Sequence, residues 1–177
     1  MPEDFADIVR EHQGMVFRTL TRMLGHTDAV SDLAQEVFLR LHRALPQFSQ
    51  RARLSTYLYR IVVNVAQDEW KRRRRPEYHA ASLSDPDTGW GDRLADRAPT
   101  AQAVLERREL QAVVDALLEQ LPPAERAALV LFHQEGRHYD EIAAVLDVPV
   151  NTVRTHLHRG RSRLARLLRE RLGRDDV

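Results

Sequence analysis

The chain has 177 residues, room for one ordinary domain or two small ones. Charged residues make up 30% and hydrophobic residues 43%, the composition of a folded, water-soluble chain. Cysteine is absent, which excludes a disulfide framework, a thiolate zinc site and a cysteine nucleophile. The opening Met-Pro-Glu-Asp carries neither the basic region nor the apolar run of a secretory signal. No stretch approaches the roughly 20 apolar residues of a membrane span, so a cytoplasmic location is expected.

The net charge of +1 conceals an uneven distribution. Residues 1–75 carry 13 basic and 9 acidic groups, residues 76–121 carry 4 and 9, and residues 122–177 carry 10 and 8. Lys71-Arg72-Arg73-Arg74-Arg75 is an unbroken cationic run, and residues 151–171 hold seven arginines against Glu170 alone. Two basic clusters separated by an acidic stretch suggest two contacts with a polyanion. The plainer alternative for each cluster is a solvated helix face.

Helical spacing dominates throughout. Phe5, Ile8, Val9, Val16, Leu20 and Leu24 predict a first helix ending near Gly25. Thr27 and Asp28 are candidate caps for a second, whose stripe is Val30, Leu33, Val37, Leu41 and Leu45, stopped by Pro46. Residues 47–53 read as a polar, basic loop around Phe48. Ser55 or Thr56 can cap a third helix with Leu58, Ile61, Val62 and Val65 facing inward, ending near Pro76. Residues 76–100, with Pro76, Pro86, Pro99, Gly89 and Gly91, have linker composition.

From Thr100, apolar residues including Val104, Leu105, Leu110, Val113, Val114 and Leu117 predict a fourth helix up to Pro122. Pro123 and Glu125 suit the start of a fifth, with Gly136 as its stop. A short helix over 139–146, a break at Asp147-Val148-Pro149 and a long helix over about 151–172 follow. In the last, Val153, Leu157, Gly160, Leu164, Leu167 and Leu168 share one face. The predicted fold class is all-α: two small helical domains, 1–75 and 101–177, joined by a flexible linker over 76–100.

The sharpest motif is YDEIAAVLDVPVNTVRTHLHRGR over 139–161. A short helix burying Ile142, Ala143 and Leu146, a tight turn, and a helix exposing Asn151, Thr152, Arg154, Thr155, His158 and Arg159 make a helix-turn-helix. The major groove accepts one such helix, and arginine can bond a guanine in bidentate fashion. The alternative is an ordinary helical hairpin with a basic outer face. Over 48–75, Phe48, Arg51 and Arg53 precede a helix bearing Tyr57, Tyr59, Asn64, Asp68 and Trp70. Aromatics among arginines suit unpaired bases, although Tyr57, Tyr59 and Trp70 fit a core or its boundary equally. Asp28, Asp32 and Glu36 recur every four residues beside Gln35, which fits a protein-docking or solvated face better than a metal site. His156 and His158 project about 200° apart on a helix, so no zinc site is expected there. No phosphate loop or nucleophile elbow is present, and neither enzyme activity, metal nor cofactor is expected.

The stretches DLAQEVFLRLHRAL (32–45), FSQRARLSTYLYRIVVNVAQDEWKRRRR (48–75) and LPPAERAALVLFHQEGRHYDEIAAVLDVPVNTVRTHLHRGRSRL (121–164), in that order around a variable linker, resemble a bacterial RNA polymerase sigma factor. The likeness is to the two-domain, extracytoplasmic-function type of the sigma-70 family. It implies a transcription initiation factor that binds core polymerase and directs it to promoters. Asp32, Gln35 and Glu36 would dock on the clamp helices of the largest subunit. Phe48 and the loop through Arg51 to Arg53 would read the minus-ten element, with Asn64 lining the pocket for a flipped base and Lys71 and Arg72 also binding that element. Arg154, Thr155, His158 and Arg159, with Asn151 and Thr152, would contact the minus-thirty-five element, and the same domain would grip the flap of the second subunit. An anti-sigma inhibitor is a further partner that the resemblance suggests. This sequence departs from the pattern at Asp147, where glycine is common, at Asn151 and at His156. The two promoter elements lie about 17 base pairs apart, roughly 58 Å at 3.4 Å per step. The free protein is therefore expected to be compact or mobile, with polymerase holding its domains apart. On residues alone, two other readings stay open: a stand-alone helix-turn-helix regulator, and a metal-dependent nucleic-acid enzyme using Asp28, Asp32 and Glu36.

Overall fold

The structure, a computed structural model, describes residues 5–25, 27–47, 53–74 and 101–175, with the backbone alone at 47, 101–108, 172 and 174–175. The regular elements among the described residues are all helices, without a strand. The expected linker over 76–100 lies outside them, as do Phe48, Arg51 and Arg75.

Helix α1 (Phe5–Leu24) buries Ile8, Val16, Leu20 and Leu24, spaced to fall on one stripe. Gly25, at φ +75, ends it in the left-handed conformation that glycine adopts without strain. Helix α2 (Ala29–Ala44) buries Val30, Ala34, Val37 and Leu41 at steps of four, three and four. The Thr27 hydroxyl, not Asp28, caps it by accepting the Ala29 N–H (3.0 Å). Helix α3 (Leu54–Arg73) starts one residue earlier than its expected caps, from an extended Arg53, so Ser55 and Thr56 fall inside its first turn. These three helices pack mutually into an N-terminal module.

Helix α4 (Ala101–Leu118) is followed by α5 (Pro123–Leu129), which opens on Pro123. Helix α5 then widens into a π-helical segment over Val130–Gln134, closed by the Glu135 N–H bonding the Val130 carbonyl (3.0 Å). Gly136, at φ +63, terminates it. Helices α6 (Tyr139–Leu146) and α7 (Val150–Asp175) complete a C-terminal module, in which α7 packs on α4, α5 and α6. Two expected core residues are exposed: Leu110 by 64% and Leu168 by 41%. For Leu168 the reason is length. Helix α7, roughly 39 Å at 1.5 Å per residue, outruns the short α5 it packs against.

Helix α3 buries more than one stripe. Leu58, Val62, Val65 and Glu69 lie on one line and serve the three-helix module. Tyr59, Val63, Ala66 and Trp70 form a second line about 100° around the helix. All four are buried or half-buried, and α3 packs there against α5 and α6 of the other module. A helix with two apolar stripes is one flanked on both sides. The two modules thus share a continuous hydrophobic core.

Polar contacts frame this junction. The Glu135 side chain, 1% exposed, receives Arg18 Nε and Nη2 (3.2 and 3.0 Å), Arg22 Nη1 (2.8 Å) and Tyr59 Oη (2.8 Å). Arg60 on α3 pairs with Asp147 in the turn before α7 (3.1 Å). Arg126 on α5 is 2% exposed and donates to the Met23 carbonyl at the end of α1.

Candidate nucleic-acid and polymerase interfaces

The helix-turn-helix is built from its buried side outward. Ile142 and Val145 of α6 and Val153 and Leu157 of α7 are buried together. The turn between them requires a left-handed residue, and Asp147 supplies it at φ 56, ψ 48. This is the position where the sequence departs from glycine. The His138 N–H donates to Glu141 Oε2 (3.0 Å), fixing the start of α6. That bond, above all, holds the Glu141 carboxyl below its ordinary range. Gly160 lets α7 approach α5 closely: a Cβ there would lie 2.9 Å from Leu129 Cδ1 and 3.4 Å from the Glu125 carbonyl oxygen.

With that face buried, Asn151, Arg154, Thr155, His158 and Arg159 are exposed on α7, and Thr152 is half-buried. The Thr155 hydroxyl donates to the Asn151 carbonyl (3.0 Å). Arg154 lies 6.0 Å over the Tyr139 ring, the outer limit of a cation–π contact. The arginines of α7 divide into two groups. Arg163 reaches back to Glu125 (3.0 Å), and Arg161 donates to His133 Nε2 (3.2 Å). Burial and then the Arg161 charge depress the His133 pKa, keeping it a neutral acceptor. Arg154 and Arg159 have no ion-pair partner among the described residues, so their guanidinium groups are available to a polyanion.

On α3, Asn64 and Lys71 are exposed, and Arg53 is exposed where the helix begins. The cationic run is partly structural. Glu69, 3% exposed, accepts from Arg72 (2.7 and 3.1 Å) and Arg73 (2.9 Å). Burial alone would raise its carboxyl pKa, but the two arginines outweigh that and hold it low. Arg73 also donates to the Leu24 carbonyl (3.0 Å) and the Thr27 hydroxyl (3.2 Å), tying α3 to the end of α1. Arg74 lies 4.0 Å over the Trp70 ring. Glu69 escaped the sequence reading, although arginines at the third and fourth following positions are the spacing that pairs on a helix.

On α2, Asp32 and Gln35 are exposed, Glu36 is half-buried and pairs with Arg40 (2.7 Å), and Leu39 is 51% exposed one turn on. Positions 32, 35, 36 and 39 share one face. Among the described residues no group of three His, Cys, Asp or Glu side chains is arranged to hold a metal ion. No described helix is long and apolar enough to cross a membrane.

Both modules match known family models. Residues 8–76 match the family model for Sigma-70 region 2, and residues 111–164 match that for Sigma-70 region 4. The ECF RNA polymerase sigma factor SigW of Bacillus subtilis is 32% identical over 168 residues, covering 94% of this chain and 89% of that protein. The chain belongs to the ECF sigma factors of the sigma-70 family. A second relative, ECF RNA polymerase sigma factor SigE of Mycolicibacterium smegmatis, is 35% identical over 89% of this chain, which spans 59% of the relative's length. In fold, this sigma factor is similar to a Bartonella quintana sigma factor, RpoE, solved with the anti-sigma factor NepR. The TM-score is 0.69 over 94% of this chain and 98% of the other, at 18% identity. The sigma factor thus carries a region 2 ahead of its helix-turn-helix, which disfavours a stand-alone regulator. As a family member it directs RNA polymerase in transcription initiation.

Proposed function

We propose that this sigma factor recognises a promoter at two places, one paired and one opened. Residues 101–177 form the domain that seats α7 in the major groove of the minus-thirty-five element, through Asn151, Thr152, Arg154, Thr155, His158 and Arg159. Residues 1–75 form the domain that reads the minus-ten element, with Phe48, Arg51, Arg53, Asn64, Lys71 and Arg72 on the opened strand, and 76–100 tether the two. Trapping an unpaired base favours the melted state over the duplex, so the promoter opens without covalent catalysis.

The observation that carries this reading is the division of α7. Its apolar side is buried, Arg161 and Arg163 are tied to the module, and Arg154 and Arg159 stand unpaired among the described residues beside Thr155 and His158. A helix held by one face and presenting donors on the other suits base edges. The α2 face of Asp32, Gln35 and Glu36 is the docking surface for the clamp helices of the largest polymerase subunit, and the C-terminal module engages the flap of the second. An anti-sigma inhibitor is a third partner, supported by the fold likeness to a sigma factor solved with one. The protein works in the cytoplasm, where polymerase is.

The test is run-off transcription with purified core polymerase on promoters that the protein, assembled with core polymerase, selects from a random library. Template-specific transcripts above the core-alone level are expected. No enrichment and no gain over core alone would refute the reading.

A further inference from the structure

Both promoter contacts cannot be made in the arrangement the structure adopts. Asn64 lies one turn from Arg60 on α3, Arg60 touches Asp147 in the turn before α7, and Arg154 lies seven residues beyond Asp147, one turn into α7. That path, with its two side chains, spans about 35 Å at most. The two promoter elements are roughly 58 Å apart at 3.4 Å per step. The modules must separate before both can be engaged.

We infer that Glu135 is the latch of a closed, promoter-incompetent state, held in a cradle made by Arg18, Arg22 and Tyr59 of the N-terminal module. The inference rests on the two-site reading of function and adds its regulation. Four features carry it. The carboxylate is 1% exposed and its partners all come from the opposite module. The π-helical segment aims it: the inserted residue at the end of α5 sets the backbone so that Glu135 faces α1 and α3 and not its own module. The second stripe of α3, Tyr59, Val63, Ala66 and Trp70, is covered against α5 and α6 only while the latch holds. Finally, the junction includes a component that favours release. Arg126 is buried there with Nε and Nη2 unpartnered among the described residues, and an unsatisfied buried cation opposes closure. A strong charge latch set against a buried, poorly satisfied cation makes a junction that closes in the free protein and yields when polymerase binds each module separately.

The absence of cysteine makes the test direct. Ser31→Cys on α2 and Ala144→Cys on α6, both exposed, take a donor and acceptor dye for energy transfer in the free protein. Glu135→Gln is expected to shift the closed-to-open ratio toward open by about tenfold and Tyr59→Phe by about threefold, with helix content unchanged by circular dichroism. Arg22→Glu should open the protein, and adding Glu135→Arg should reclose it in part. Unchanged transfer in both Glu135→Gln and Arg22→Glu would overturn the latch. In a second arm, Arg60→Cys with Asp147→Cys is bridged by a thiol-cleavable bis-maleimide. Run-off transcription should fall at least about tenfold and return on cleavage. A bridged protein with full activity would overturn the proposal. If the unbridged protein drives no transcription, the promoter reading fails, while energy transfer still decides the latch.

Discussion

Replacing Arg126 by Met isolates one term of the junction. The Arg126 guanidinium is almost fully buried, donates to the Met23 carbonyl, and leaves two nitrogens without partners among the described residues. Burial is the largest reason its pKa falls well below the ordinary guanidinium value, to about 10; the charge of Glu119 opposes the fall and that of Arg73 adds to it. That drop corresponds to about 3 kcal/mol against the charged form. Met follows the course of the Arg126 side chain as far as Nε and removes the charge. The Met23 carbonyl loses a donor, which costs about 1–2 kcal/mol. The balance is a gain of about 1–2 kcal/mol for the closed, folded protein, raising its thermal midpoint by about 3–6 °C for a chain of this size. Differential scanning calorimetry reads the midpoint, and energy transfer between the labelled modules reads the closed fraction, which should rise. Arg126→Lys keeps a buried charge with fewer donors and should lower both. A midpoint that falls for Met as far as for Lys would refute the reasoning, because the guanidinium would then be a net stabiliser.

Arg154→Ala and Arg159→Ala are expected to weaken selection of the upstream element by about 1–3 kcal/mol where the contact is bidentate to a base; competition binding with single-base variants distinguishes that from phosphate contacts, which would lower affinity equally on every sequence. Asn64→Ala should slow promoter melting, read as permanganate reactivity of the opened bases, and leave the affinity for core polymerase unchanged. Asp147→Gly relieves a left-handed residue and should stabilise the C-terminal module by about 1 kcal/mol, while removing the exposed pair with Arg60 should change the closed fraction little. Acid should open the latch. Burial would raise the Glu135 carboxyl, but hydrogen bonds from Arg18 and Tyr59 and the charges of Arg18 and Arg22 hold it below the ordinary range. Its contribution is therefore complete above the ordinary carboxylate pKa and disappears as pH falls through the depressed value. At the alkaline end, burial and the Glu135 bond push the Tyr59 phenol to about 12, so that contribution is lost as pH rises from 10 toward 12. Energy transfer across pH 3 to 11 should fall at both ends, and a flat acid limb would contradict the assignment.

What the sequence made legible follows from which contacts are local. The stripes Val30, Val37 and Leu41 and Val153 and Leu157 read directly, because each faces helices of its own module and the 3.6-residue period survives. The turn at Asp147 read correctly as a break, and its positive φ shows why glycine is common there: an aspartate can adopt the conformation at modest strain. The seven arginines of 151–171 read as one cationic face, whereas Arg161 and Arg163 are engaged with His133 and Glu125. Those partners lie on α5 and the π-helical segment that continues it, and nothing in the spacing of α7 indicates them.

The closed junction was the least legible part, for a physical reason. On α3 the positions 59, 63, 66 and 70 have helical spacing as clear as that of 58, 62 and 65, yet two overlapping stripes blur each other's polarity, and aromatic residues in one suggest base stacking. Their covering surface comes from α5 and α6, on the far side of the linker. Glu135 is the extreme case. A single acid between Gln134 and Gly136 has no periodic neighbour to mark it, and a regular α5 would carry the next residue about 100° around the helix from its predecessor. The π-helical segment changes that angle, so the direction of the side chain depends on a backbone irregularity that no hydrophobic pattern encodes. The proposed recognition surfaces therefore come from local amphipathic order that a sequence displays. Control over when they are used comes from a long-range pairing between Glu135 and the Arg18, Arg22 and Tyr59 cradle, which exists only after both modules have folded.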